Sequence, residues 1–314
     1  MKNSYQRNQT TEFLLLGLSD NPKVQTFLFL LFLVFYMITL AGDLFIMLLV
    51  ALDPKLHNPM YLFLANFSFV DICLISAIVP QFLRNLISTR QTISFVGCLT
   101  QFFFFGVMAN AECLLLAVMG YDRYVAIYSP LNYSLVMSSK TCGMLVAAAY
   151  VISVLHSLLY TLMSSQLSFC GSNKIHHFFC DFPPLLKLSC SDTSIEQLVV
   201  STEGMAMLLV PFLFLVASYT TVVRTILKSR SVEGRWKAFS TCSSHLTVVA
   251  LYYSSLLFMY FKPLSSYSLD YDRVVSVVYS AIVPMLNPFI YSLRNKDIAR
   301  ASRRVLNRWI MHTR

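Results

Sequence analysis

The sequence predicts an all-α membrane protein: a bundle of seven transmembrane helices followed by a short amphipathic C-terminal helix. Three observations carry that expectation. Of 314 residues, 56% are hydrophobic and only 12% charged, about half the charge of a soluble domain. Mean hydropathy is +0.62. The apolar residues are also gathered into seven long runs, each near the ~20 residues that cross ~30 Å of hydrocarbon.

The runs are Phe27–Leu52, Pro59–Ile87, Cys98–Ile127, Cys142–Leu162, Leu198–Leu227, Ala238–Phe261 and Val274–Leu293. They are long and continuous rather than alternating, which favours helices over a membrane barrel. No internal repeat of the transporter kind is visible. Residues 1–20 are polar and lack a signal-peptide layout, so the first span is expected to serve as the targeting signal. The expected division is an outer tail (1–26), a seven-span domain (27–293) and an inner tail (294–314). In that tail Ile298, Val305, Leu306 and Trp309 recur at helical spacing among Arg300, Arg303, Arg304 and Arg308. This suits an amphipathic helix on an anionic leaflet.

Net charge is +9. With the N-terminus outside, fifteen Lys and Arg fall on the inner side and nine on the outer. The inner excess lies close to the span ends, as membrane topology requires. The basic balance therefore points to a lipid bilayer and away from nucleic acid.

Eight cysteines form no CxxC pair, so zinc-ribbon and thioredoxin readings have no support. Cys98, Cys170, Cys180 and Cys190 share the outer side, where disulfides persist. Three pairings are open; the one taken here is Cys98–Cys180, tying the long outer loop to span three, with Cys170–Cys190 inside the loop. His176 and His177 beside them suggest a metal site, but disulfides would consume the thiols. Asn8 begins an outer glycosylation sequon, Asn8-Gln9-Thr10.

Four acids interrupt the spans: Asp43, Asp71, Glu112 and Glu203. An intramembrane carboxylate is costly and marks a functional site by default. Asp43, Asp71 and Glu112 lie near mid-span, and Asn287-Pro288 breaks span seven. Converging, they would demand cations. A sodium ion held by Asp71, Glu112, Asp43 and Asn287 is one reading; a protonated hydrogen-bond network is the other. No further cofactor is expected. Glu203 faces either a cavity or the surface near its helix end. At the inner end of span three stands Asp122-Arg123-Tyr124, an ion pair at a membrane boundary. His156 and His245 read as isolated, and with no Ser-His or HExxH constellation an enzyme is not expected.

Five stretches, in order, resemble the olfactory (odorant) receptors, a family of rhodopsin-type G-protein-coupled receptors. They are Leu56-His57-Asn58-Pro59-Met60-Tyr61-Leu62-Phe63-Leu64, Met119 to Tyr133, Ser218-Tyr219, Lys237 to Leu246 and Pro284 to Asn295. The resemblance covers nearly the whole chain. It implies a receptor for small, mostly apolar volatile ligands that activates a stimulatory, olfactory-type heterotrimeric G protein and raises cyclic AMP, at the cell membrane of olfactory cilia. Competing readings are a receptor for another small metabolite, or a transporter or channel supported only by the intramembrane acids.

The family places its pocket in the outer half of the bundle. Counting helical turns outward from Arg123, the implied contacts are Phe105, Gly106, Ala109 and Asn110 in span three and Glu203 and Met207 in span five. Tyr253, Leu256, Leu257 and Tyr260 follow in span six, with Val277 and Ser280 in span seven. Asn110, Glu203 and Tyr260 would be the polar handles. The resemblance also implies an inner switch of Asp122, Arg123, Tyr124, Tyr219, His245 and Tyr291. This sequence departs from the family pattern at Asp43 (usually Asn), Gly120 (Ala), Tyr128 (Cys) and Tyr252-Tyr253-Ser254 (Phe-Tyr-Gly).

Overall fold

The computed structural model describes residues 11–228, 231–260 and 269–312; side chains at 232–234, 237–238, 240–241, 258–260, 269–271, 293–294, 296 and 308–312 lie outside the description. Eight helices dominate it. They are α1 (Pro22–Leu52), α2 (Pro59–Ile87), α3 (Phe95–Tyr128), α4 (Ser139–Ser165), α5 (Ser194–Lys228) and α6 (Val232–Tyr260). α7 runs through Leu269–Val277, a π turn Val278–Ile282 and Val283–Arg294, and α8 is Lys296–His312. The seven expected spans each fall on one of α1–α7.

Local chemistry sets the ends. Asn21 caps α1 by accepting from the Lys23 amide, with Pro22 in the first turn. Ser94 caps α3 through the Gly97 amide and Ser138 caps α4 through that of Thr141. Among the described residues, six helices are long and apolar enough to cross a membrane: α1 to α5 and the Asp272–Ser292 part of α7. α6 has the length, 29 residues, but its inner half carries Arg235, Ser243, Ser244, His245 and Thr247.

The exposed surface is itself apolar. Phe27, Leu30, Val34, Met37, Leu44 and Leu48 lie exposed on α1, and Val151, Leu155, Leu158 and Leu162 on α4. A soluble protein rarely leaves such continuous apolar faces uncovered. α3 is the central post, packing on α2, α4, α5 and α6, while α7 closes the bundle against α1 and α6. Gly42 permits that closure: a Cβ there would lie 2.6 Å from Pro288 Cβ.

The outer end holds a small sheet. β1 (Glu12–Leu15) is its middle strand, antiparallel to β2 (Thr92–Ser94) with Phe13 opposite Ile93, and parallel to β3 (Lys174–Ile175). Phe13 and Leu15 are fully buried. The outer segment is thus tied into the fold at these residues. Gly17, at φ +62°, turns the chain away in a conformation that favours glycine.

Cys98 is bonded to Cys180 and Cys170 to Cys190, with Cα atoms 5.5 and 5.9 Å apart. The first bridge pins the outer loop over the bundle mouth. Phe178 of that loop packs against Phe32 and Phe82, and Phe179 against Phe105. At the inner end Arg304 of α8 pairs with Asp53 through Nε at 2.8 Å. Its guanidinium is therefore turned into the protein, where the sequence had suggested a leaflet contact. Ile298 and Ala301 are buried beneath α8.

Candidate ligand pocket and coupling site

The outer half of the bundle gathers most of the expected pocket residues. Phe105 meets Phe179 at 5.0 Å and Tyr279 at 6.1 Å between ring centroids. The loop thus forms an aromatic roof over α3 and α7. Deeper, the Tyr253 hydroxyl lies 3.2 Å from Cys113 Sγ, and its ring packs on Phe212. Leu256 bridges this cluster to the aromatic one above. The Tyr252 hydroxyl donates to the Ala109 carbonyl at 2.8 Å, so Ala109 meets α6 through its backbone.

Several expected contacts point elsewhere. Gly106 faces α4, where a Cβ would lie 2.9 Å from Ser157 Oγ. Asn110 is turned the same way: its Nδ2 donates to the Gly106 carbonyl at 2.8 Å and lies 3.0 Å from His156 Nδ1. Ser280 donates to the Ser276 carbonyl of its own helix. His156 is not isolated, since its Nε2 lies 3.0 Å from Glu203 Oε2. Met207 reaches the cluster through its carbonyl, 3.8 Å from Cys113 Sγ. Val277 packs against the roof cluster and Leu257 is half-buried. The side chain of Tyr260, and Asn8, lie outside the described residues. A separate cleft of about 1060 Å³ runs between α2 and α3, lined by Cys73, Gln81, Arg84, Gln101 and Phe104. It shares no residue with the expected pocket.

The roof is fastened to α7. His177 Nε2 lies 2.9 Å from Ser276 Oγ, Arg273 donates to the His176 carbonyl, and the Tyr279 hydroxyl points at Asp181. Burial pushes Asp181 up to about 6. Burial, with the Arg273 charge beside it, pulls His177 down to about 3. The loop cysteines are spent in disulfides, which removes them as metal ligands.

Below the pocket the three mid-span acids are fully buried with Ser68 and Asn287. Asn287 Nδ2 donates to Asp71 Oδ2 at 2.9 Å. Among the described residues, Asp43 Oδ2, Asp71 Oδ1, both Glu112 oxygens, Asn287 Oδ1 and Ser68 Oγ have no hydrogen-bond partner. Buried acceptors left in this state are strongly unfavourable. Among the described residues no three acid, His or Cys side chains converge as metal ligands do.

At the inner end, Arg123 Nε lies 3.8 Å from Asp122 Oδ2. Asp122 has a second, closer partner that its sequence neighbourhood did not reveal: the Tyr133 hydroxyl donates to Oδ1 at 2.7 Å. Tyr219 Oη and His245 Nδ1, 2.6 Å apart, join α5 to α6. Tyr291 Oη and Arg123 Nη2 are buried without partners. Tyr124 is half-buried against the core, its ring stacked between Tyr121 at 6.2 Å and Tyr128 at 5.2 Å.

A family model described as olfactory receptor matches residues 32–308. The chain belongs to the olfactory receptor family. It is 50% identical to mouse olfactory receptor 5AP2 over 303 residues, 96% of each chain. It is 51% identical to human olfactory receptor 1L4 over 301 residues, 96% of this chain and 97% of that one. With human olfactory receptor 1F1 it shares 50% over 302 residues. As an olfactory receptor it is a multi-pass membrane protein and no enzyme. Its departures from the family pattern now have contacts. Tyr252 supplies the α6–α3 hydrogen bond that a phenylalanine lacks. Gly120 lets α5 approach, since a Cβ there would lie 2.3 Å from Leu215 Cδ2. Asp43 adds an acid to the buried cluster, and the exposed Tyr128 extends the stack on Tyr124.

Proposed function

We propose that the chain is an odorant receptor that binds small volatile molecules in the outer half of the bundle. The active state engages a stimulatory, olfactory-type heterotrimeric G protein and raises cyclic AMP. The N-terminus lies outside, and the olfactory cilia are the working membrane. One observation carries the reading: a single central helix, α3, runs from an aromatic-roofed cluster at Phe105 to a weakly restrained Arg123 at the inner end. A ligand that prefers one packing of the outer half shifts the equilibrium at the other end by its differential affinity. A near-complete switch needs about 5.5 kcal/mol.

The inner contacts suit that switch. In the resting arrangement Asp122 holds Arg123 and is itself held by Tyr133. Tyr219 is occupied by His245. On activation Arg123 turns to Tyr219 and Tyr291, and α6 moves away to admit a G-protein helix. The partnerless Arg123 Nη2 and Tyr291 Oη support this exchange, because each gains a bond by it. In cells, an odorant panel should raise cyclic AMP only where the stimulatory α subunit is present. An odorant-evoked current or flux without G protein would favour the channel or transporter reading instead.

We further propose a sodium ion shared with protons at Asp43, Asp71, Glu112, Asn287 and Ser68; what supports it is that, among the described residues, their buried oxygens lack hydrogen-bond partners, although no three acids converge on one point. Sodium there would neutralise buried charge and steady the resting packing. Replacing sodium by N-methylglucamine should then raise odorant potency, and Asp71→Asn should abolish the difference. An equal potency in both media would leave protons alone to neutralise the cluster.

A further inference from the structure

α5 is broken at Val200–Gly204 by a π turn, a distortion frequent at functional sites. Glu203, inside that turn, reaches α4 and meets His156, with Oε2 and Nε2 3.0 Å apart. The position of the histidine proton follows from its other neighbour. Asn110 Nδ2 has two hydrogens: one goes to the Gly106 carbonyl at 2.8 Å, which can only accept, and the other faces His156 Nδ1 at 3.0 Å, with the Ser157 hydroxyl more distant at 3.4 Å. Nδ1 is therefore the acceptor. A neutral imidazole then carries its proton on Nε2, towards Glu203. Thus α3 orients the histidine towards the carboxylate: Nε2 and Oε2 lie in close contact, yet among the described residues neither buried atom makes a hydrogen bond.

The Glu203 side chain is 43% exposed against 12% for His156. Among the described residues no lysine or arginine pairs with it. A chain of buried rings leads inward from His156: Tyr160 stacks on it at 4.6 Å, Phe182 meets Tyr160 edge-on at 5.2 Å, and Phe102 stacks on Phe182 at 6.0 Å. The buried Tyr160 hydroxyl is without a partner. It lies 2.8 Å from where a Cβ on Gly204 would sit, so glycine keeps that hydroxyl close to the turn. A partly exposed carboxylate whose buried oxygen lacks a hydrogen bond, beside the equally unpartnered Tyr160 hydroxyl, is a surrounding that an ammonium donor completes.

We propose that Glu203, beside His156, is the counter-ion for protonated amine ligands, and that the receptor answers small alkyl- and arylalkylamines. The ammonium donates to Glu203 on its exposed side, and the hydrocarbon tail points inward, towards the aromatic residues of the outer half. His156 and Asn110 are positioning residues. This rests on the outer-half pocket being the odorant site.

The test compares cyclic AMP dose–response curves for straight-chain and phenylalkyl amines with alcohols of equal length. Cells expressing the wild type, Glu203→Gln and His156→Asn are used, with surface staining in parallel. Amines should be the more potent series. Losing a charge-assisted bond should cost Glu203→Gln about 10- to 100-fold in amine potency, with the alcohols moving less than about threefold. His156→Asn should weaken amines by a smaller factor in the same direction. Three results would each overturn the proposal: no amine response, amines no more potent than alcohols in the wild type, or both series shifting equally in Glu203→Gln. The wild-type comparison stands even if a variant stays inside the cell. A receptor that answers neutral odorants through cyclic AMP and ignores amines leaves the odorant-receptor reading intact. Responses that persist without the G protein sink that reading itself.

Discussion

Replacing Tyr252 by Phe deletes one hydroxyl and nothing else. That hydroxyl donates at 2.8 Å to the Ala109 carbonyl, joining α6 to α3 at mid-bundle. The carbonyl keeps its helical bond from the Cys113 amide, so no buried acceptor is orphaned. The loss is then the net value of one neutral hydrogen bond, about 0.5–1.5 kcal/mol. The ring stays in place at 3% exposure, so packing should hold. If α6 parts from α3 on activation, the bond belongs to the resting state alone. Its removal multiplies the active-to-resting ratio by about 2 to 13. Basal cyclic AMP should rise by that factor, with odorant potency rising alongside, at matched surface expression. Unchanged or lower basal signal from Tyr252→Phe would show that this contact persists through activation, and would refute the reasoning.

Other outcomes follow from the same contacts. Cys98→Ser opens a bridge spanning 82 positions, worth on the order of 4 kcal/mol, and should abolish surface delivery. Cys170→Ser, whose bridge spans 20 positions, should reduce delivery less; equal surface staining for both would contradict the roof assignment. Arg304→Ala breaks the pair with Asp53 and should loosen α8, read as faster hydrogen exchange there. The outer loop should also carry a pH signature. The buried Asp181 prefers its protonated form, so its contribution is full below pH ~4 and lost as pH rises through about 6. The buried His177 prefers its neutral form, so its contribution is full above pH ~6.5 and lost as pH falls towards about 3. Between pH 6 and 4 the two oppose each other. On acidification the thermal midpoint of Asp181→Asn should fall and that of His177→Gln should rise; parallel curves for the two variants would contradict the assignment.

The membrane-crossing helices were legible because their signal is local. The Pro59–Ile87 run matches α2 at both ends, since Pro59 sits in the first turn and the apolar run stops at Ser88. α1 starts ahead of its apolar run because the Asn21-Pro22 cap, not hydropathy, sets its beginning. β1 was not legible: a four-residue strand is defined by partners far along the chain, such as Asn173, 161 positions away. The site divides in the same way. Asp122-Arg123-Tyr124 could be read from adjacent residues, but the Tyr133 clamp depends on how the inner loop folds back. His156 looked isolated because Asn110 is 46 positions away, and its encounter with Glu203 depends on helix rotation at a π turn. Counting turns fixes the height of Gly106 and Asn110 along α3 but not their facing, which is towards α4.

The central claim is that ligand binding in the outer half is read out through Arg123. The most direct measurement is odorant-evoked cyclic AMP in cells expressing wild type or Arg123→Ala at equal surface density. The wild type should respond to at least one odorant, and Arg123→Ala should bind at the surface yet raise no cyclic AMP. A full response from Arg123→Ala would contradict the account.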